Sequence, residues 1–293
     1  MGTYGEKQAL RVRVLGPLTV SVDQCNLTPT ANKPRALLAL LALHANSFVS
    51  TDCIVDTLWE CSPPRSAKAA LHGYVTAVRR SLAPRPGGQH SPSRTSIDSV
   101  LVTQPSGYLL RLDADGLDLI AFREQARLGA AALAVAEYEQ AEAWFNAALL
   151  QWNGLPLADL TQVGMLSGYA TRLTEERVQV THNWAKAMLG QGRGAEAVRQ
   201  MEELCASYPL REEFHRQLML TLRQANRRAD ALAAYARVYR VLTSEAGIEP
   251  CPSLRETHRQ LLDEELLPQA LGWAELPVAN VTGRSGELTS MWK

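Results

Sequence analysis

The sequence has few cysteines, and none is paired at CxxC spacing: Cys25, Cys53, Cys61, Cys205 and Cys251 are odd in number and widely scattered. That excludes a disulfide framework and a zinc ribbon, and it fits a reducing, cytoplasmic setting. Long apolar runs are also missing. The longest, Ala36 to Leu43, is eight residues, far short of a membrane span, and the first sixteen residues contain no apolar signal-peptide core. There is no GxxxxGK[ST] phosphate loop, no HExxH, and no paired metal spacing among His44, His72, His90, His182, His215 and His258. Thr51-Asp52 and Glu175-Glu176 read as helix-start and solvated-face charges rather than a catalytic dyad. These absences point away from an enzyme and imply no cofactor and no membrane.

Acidic residues are distributed unevenly. None occurs from Ser62 to Ile97, a window that holds Arg65, Lys68, Arg79, Arg80, Arg85 and Arg94. The net charge of the 293 residues is zero, yet residues 1–112 carry 12 Lys and Arg against 6 Asp and Glu. The remainder carries 18 against 24. One part of such a chain is suited to a polyanion and the other is not.

Patterning divides the chain in the same place. Leu10 to Val22 alternates apolar residues about Gly16-Pro17, giving two short strands. Pro34 to His44 is apolar all round and reads as a buried helix with Pro34 at its first position. A second helix follows Ser50/Thr51, and Ser62-Pro63-Pro64 ends it. A third helix runs from about Ser66 to Leu82. At 100° per residue, Ala67, Leu71, Val75, Val78 and Leu82 form one stripe, flanked by Tyr74. Pro84 to Ser99 reads as a mobile loop. Val100–Thr103 and Tyr108–Leu112, joined by Gln104-Pro105-Ser106-Gly107, read as a hairpin. Strands, three helices and a hairpin follow the order of a winged helix-turn-helix, assigned to residues 1–112.

From residue 113 to 265 Ala, Leu, Glu, Gln and Arg recur at helical spacing, with no strand signal. GRGAEAVRQMEEL from Gly192 returns 34 residues later as NRRADALAAYARV from Asn226, the period of tetratricopeptide helix pairs. Ala195/Ala197 against Ala229/Ala231 supply small side chains for close helix packing. Glu137 to Leu150 is related but out of phase, a shift that a long helix from about Met165 to Leu189 explains. Trp59, Trp144, Trp152 and Trp184 fall on apolar stripes and read as core. Residues 266–293 lose periodicity and read as a loosely held, flexible tail. The expected fold is mainly α: a winged helix followed by an all-helical, tetratricopeptide-like domain.

The third helix carries the chemistry. Away from its apolar stripe lie Arg65, Lys68, His72, Gly73, Thr76, Arg79 and Arg80, offering cations, imidazole and hydroxyl without a carboxylate. Phosphates need such donors for register, and base edges need one or two at groove depth. Arg79 and Arg80 suit phosphates, and His72 and Thr76 suit bases. Lys33, Arg35, Ser66, Arg94, Thr103 and Gln104 complete the candidate DNA-binding set.

On RVRVLGPLTV (Arg11–Val20), KPRALLALLALHAN (Lys33–Asn46), the stretch Val49–Leu82, VTQPSGYLLRLDADGLDLIAF (Val102–Phe122) and two body segments ending at Leu262, the chain resembles the Streptomyces antibiotic regulatory protein family. That family joins a response-regulator-type winged helix to a bacterial transcriptional activation domain. Its members often have polar amides where His72 and Gly73 stand, Arg in place of Ala77, and Arg in place of Gln104. The resemblance implies an activator of antibiotic or other secondary-metabolite genes. Such an activator binds direct repeats in double-stranded DNA as a head-to-tail homodimer and recruits RNA polymerase holoenzyme, with Glu60–Arg65 as a contact. The alternative is a regulator whose helical body senses a small molecule.

Overall fold

In the computed structural model the described residues are 10–22, 25–60, 62–82 and 99–263. Most of the expected 84–99 loop, with Arg94, and the tail beyond 263 lie outside them. Strands β1 (Arg11–Arg13) and β2 (Thr19–Val22) flank Gly16-Pro17 as expected and pair antiparallel, Val12 opposite Val20. A third strand, β3 (Cys25–Asn26), extends this sheet; two residues are too few to show alternation.

Helix α1 (Asn32–Leu43) buries Pro34 and every residue from Ala36 to Ala42. It starts two residues before Pro34, which still falls in the first turn, where N–H groups have no intrahelical partner. Strand β4 (Phe48–Ser50) leads directly into α2 (Thr51–Trp59), and Ser50 is the cap, its Oγ accepting from Cys53 N at 3.2 Å. Helix α3 (Ala67–Leu82) follows, then the hairpin β5 (Leu101–Gln104) and β6 (Gly107–Leu110). The sheet order is β4-β6-β5, so the unanticipated β4, between α1 and α2, pairs with the hairpin as an edge strand. Gly107 permits this: a Cβ there would lie 2.3 Å from the Val49 carbonyl oxygen.

After a 3-10 turn (Ala114–Gly116) the described residues form α4 (Asp118–Ala134), α5 (Tyr138–Leu149), α6 (Gly164–Gly190) and α7 (Gly194–Ser207). Then come α8 (Glu212–Gln224), α9 (Arg228–Val241), a π turn (Leu242–Ala246) and α10 (Pro252–Asp263). The turns α4–α5, α6–α7 and α8–α9 each contain one left-handed residue: Ala136 (φ 60°), Gly192 (79°) and Asn226 (56°). The following helix then buries an alanine at its fourth position, Ala141, Ala197 or Ala231. The 27-residue α6, together with the long connection of residues 150–163 before it, accounts for the phase shift. Of the expected small-residue pairs, Ala197/Ala231 are buried, but Ala195/Ala229 are exposed. Of the four tryptophans expected in the core, all are half-buried, and Trp59, Trp152 and Trp184 pack against the buried clusters.

One continuous core runs from Val12 through α1 to α3 and on to Phe122, Phe145, Leu157, Leu166 and Leu173. A second lies among the C-terminal half of α6 and α7 to α10. The head therefore shares its core with the first body helices, across the boundary expected at residue 112. Asp118, at the start of α4, accepts from Val14 N and Leu15 N at 3.0 Å. Leu157 N donates to Gly16 O at 2.8 Å, and Leu18 N to Asp159 Oδ1 at 2.8 Å. His44 Nε2 meets Tyr169 Oη at 2.8 Å.

Candidate nucleic-acid interface

Helix α3 buries Ala67, Leu71, Val75, Val78 and Leu82, the stripe expected from its period. Packing of that stripe on α1 turns the opposite face to solvent, where Lys68, Ala69, His72, Gly73, Thr76 and Arg80 are exposed, preceded by exposed Arg65 and Ser66. No acidic side chain lies on the helix. Asp52 of α2 lies 3.8 Å from Lys68 Nζ, and both groups are largely solvated. Thr76 Oγ donates to His72 O at 2.9 Å, which leaves its lone pairs outward. A Cβ on Gly73 would meet nothing within 4 Å, so no packing among the described residues requires glycine at that position.

Arg79 takes a different place from its expected one. It is half-buried, and its Nη2 donates to Leu101 O (2.8 Å) and Thr103 Oγ (2.9 Å) of β5, tying α3 to the hairpin. Thr103 is exposed and Gln104 half-buried at the turn, where Ser106 is left-handed (φ 69°). The structure thus gathers Arg65, Ser66, Lys68, His72, Thr76, Arg80 and Thr103 on one side, with Arg79 beneath as a brace.

Lys33 and Arg35 do not join them. Lys33 Nζ donates to Leu58 O at the end of α2 and lies over the Trp59 ring, 5.5 Å from its centroid. Arg35 is ion-paired with Asp159, both side chains largely buried. These cations serve internal contacts, and the expectation that they bind DNA is revised accordingly. Nothing local in the sequence marks their partners, which lie 25 and 124 positions away.

Elsewhere, polar groups tie helices of the body together. Glu213 of α8 accepts from His182 and Lys186 of α6 at 2.9 Å, and these two hold its carboxyl down at about 2. Burial lowers the pKa of the fully buried His182. Among the described residues there is no cluster of three His, Cys, Asp or Glu side chains that could hold a metal. Nor is any helix among them long and apolar enough to cross a membrane.

Residues 117–262 match the family model described as the bacterial transcriptional activator domain. Regulatory protein DnrI of Streptomyces peucetius is 33% identical over 255 residues, covering 86% of this chain and 92% of DnrI. The chain belongs to the Streptomyces antibiotic regulatory protein family of transcriptional activators. Transcriptional regulatory protein MoaR1 of Mycobacterium tuberculosis is 31% identical over 279 residues, covering 94% of this chain and 83% of MoaR1. The solved structure of EmbR from M. tuberculosis, in complex with a low-affinity phosphopeptide, superposes with a TM-score of 0.80 at 33% identity. That match covers 88% of this chain, which spans only 66% of the EmbR chain. For this member of the family, the likeness to EmbR supports the mainly helical fold with its small strand-containing head.

Proposed function

We propose that the chain is a sequence-specific DNA-binding activator of transcription, with α3 as the helix that enters the major groove. The observation that carries this is the exposed, acid-free face of α3, turned outward by a fully buried opposite stripe. Lys68 and Arg80, twelve residues apart, lie about 18 Å from one another along a helix rising 1.5 Å per residue. That separation lets them reach the phosphates bordering a major groove about 12 Å wide. His72 and Thr76 lie between them, one turn apart, at the depth of base edges. Thr103 on the hairpin is suited to the flanking backbone. In this reading two copies sit head-to-tail on direct repeats, the Glu60–Arg65 turn and the body meet RNA polymerase holoenzyme, and the genes served are secondary-metabolite genes. DnrI's name and source support the last point.

A body that senses a small molecule has less support. The cleft lined by Ala136–Gln140, Gln191 and Arg193 has its strongest polar groups already paired: Arg193 with Glu142 and Glu196, and Gln191 with Glu142.

The test is binding of the full chain to promoter DNA and to unrelated DNA at two salt concentrations, with transcription by purified polymerase alongside. Specific binding that weakens steeply with salt, together with increased transcript, is expected. Equal affinity for both DNAs would remove sequence reading from the proposal.

A further inference from the structure

The last residue of the α2 region, Glu60, has a backbone that suits glycine rather than glutamate. Its φ is 54° and its ψ −125°, while its N–H still donates to Asp56 O at 2.8 Å. A side chain in this region is strained, and such conformations persist where the surroundings enforce them. A contact from the body reaches its side chain. Glu60 Oε1 accepts from Gly164 N, the first residue of α6, at 2.8 Å. Val163, the residue before α6, supplies no side-chain cap of its own. A carboxylate from the head therefore caps a 27-residue helix of the body, where an anion is favoured by the helix dipole.

The segment from Pro63 leads stiffly into α3. Pro63 and Pro64 fix their φ angles, Ala67 N donates to Pro64 O at 2.9 Å, and Ala70 N donates to Ser66 O at 2.9 Å. On the other side of Glu60, Trp59 stacks on Tyr74 of α3, with ring centroids 5.8 Å apart. A rotation at Glu60 would thus move both the entry to α3, where Arg65, Ser66 and Lys68 are exposed, and the aromatic contact at its middle.

We propose that Glu60 makes the α2–α3 turn, and the first turn of α3 with it, conditional on the docking of α6, so that the body sets the posture of the DNA-reading helix. Glu60 is a positioning residue here and needs no contact with DNA. The DNA consequence rests on the proposed function; the coupling itself does not.

The experiment deletes each side of the contact in the full chain. Gly164→Pro removes the donor while keeping a residue favoured at the first helical position, and Val163 already has the extended backbone that precedes proline. Glu60→Ala removes the acceptor, and Glu60→Gln retains an acceptor oxygen. Amide hydrogen exchange of Arg65–Ala70 is read in each variant and in the double variant, with circular dichroism to confirm folding. Both single deletions should speed exchange there by about fivefold, with no further gain in the double variant and little change in Glu60→Gln. Unchanged exchange of Arg65–Ala70 in Gly164→Pro, or effects that multiply in the double variant, would overturn the coupling. If Gly164→Pro fails to fold, Glu60→Ala against Glu60→Gln decides: equal exchange in the two overturns it. Faster exchange with unaltered operator affinity would leave the coupling standing and count instead against DNA reading by the first turn of α3.

Discussion

Replacing Asp118 by alanine should destabilise the head and body together. Asp118 is only 8% exposed, and its carboxylate accepts from the amides of Val14 and Leu15, both fully buried just beyond β1. Alanine leaves two buried donors without an acceptor, at about 1–3 kcal/mol each. Relief of the buried charge offsets part of this, because burial pushes the Asp118 pKa up despite amide bonds from Val14, Leu15 and Leu119 and the charge of Arg13. The net loss should be about 3 kcal/mol, and about half that for Asp118→Asn, which keeps one acceptor. Urea unfolding followed by tryptophan fluorescence reads both halves, since Trp59 is in the head and Trp152 and Trp184 are in the body. A single transition shifted by that amount is expected. A loss below about 1 kcal/mol, or a head that melts while the body stays intact, would refute a shared core pinned at Asp118.

A fragment of residues 1–112 should lack a cooperative transition, because it omits Leu117, Phe122, Leu157 and Leu166 from its own core; a sharp melt of the fragment would contradict this. Gly73→Ala should raise stability by about 0.5–1 kcal/mol, since no atom lies near the added methyl, yet weaken operator binding where DNA approaches the helix; equal or tighter binding would show that no close approach occurs there. Arg80→Ala should weaken specific and unrelated binding alike and lower the salt slope by about one unit, whereas loss of specific binding alone would remove its phosphate role. Stability should fall as pH drops below 6.5, because burial lowers the pKa of His44, His182 and His215, so the unfolded chain takes up protons that the folded chain refuses. Glu213, held at about 2, adds a second loss as pH falls below its ordinary 4.5. Urea midpoints unchanged between pH 7.5 and 5.5 would contradict the histidine part.

The features legible in the sequence are those with a local period. The α3 stripe recurs every three to four residues, and structure and sequence agree on all five buried positions. The 34-residue recurrence gave the helix pairs, and Ala197 with Ala231 marked their close approach. Features held by partners far along the chain were not legible. Asp118 serves amides 104 and 103 positions away, and Arg35 meets Asp159, so both the fused core and the internal role of Arg35 left no local mark. Strands β3 and β4, of two and three residues, are too short to alternate, and their pairing supplied what their pattern could not. Arg79 fell on the expected side of α3 by angle, but a long side chain can reach either solvent or the neighbouring hairpin. Its positive φ made Glu60 unusual only once the backbone was known.

Selection of bound sequences from random DNA by the full chain, repeated with His72→Ala and Thr76→Ala, tests the reading of DNA by α3 most directly. The expected result is enrichment of one motif repeated in the same orientation at a spacing of about 10–11 bp, with altered base preference in each variant. No enrichment, or the same motif from all three proteins, would contradict it.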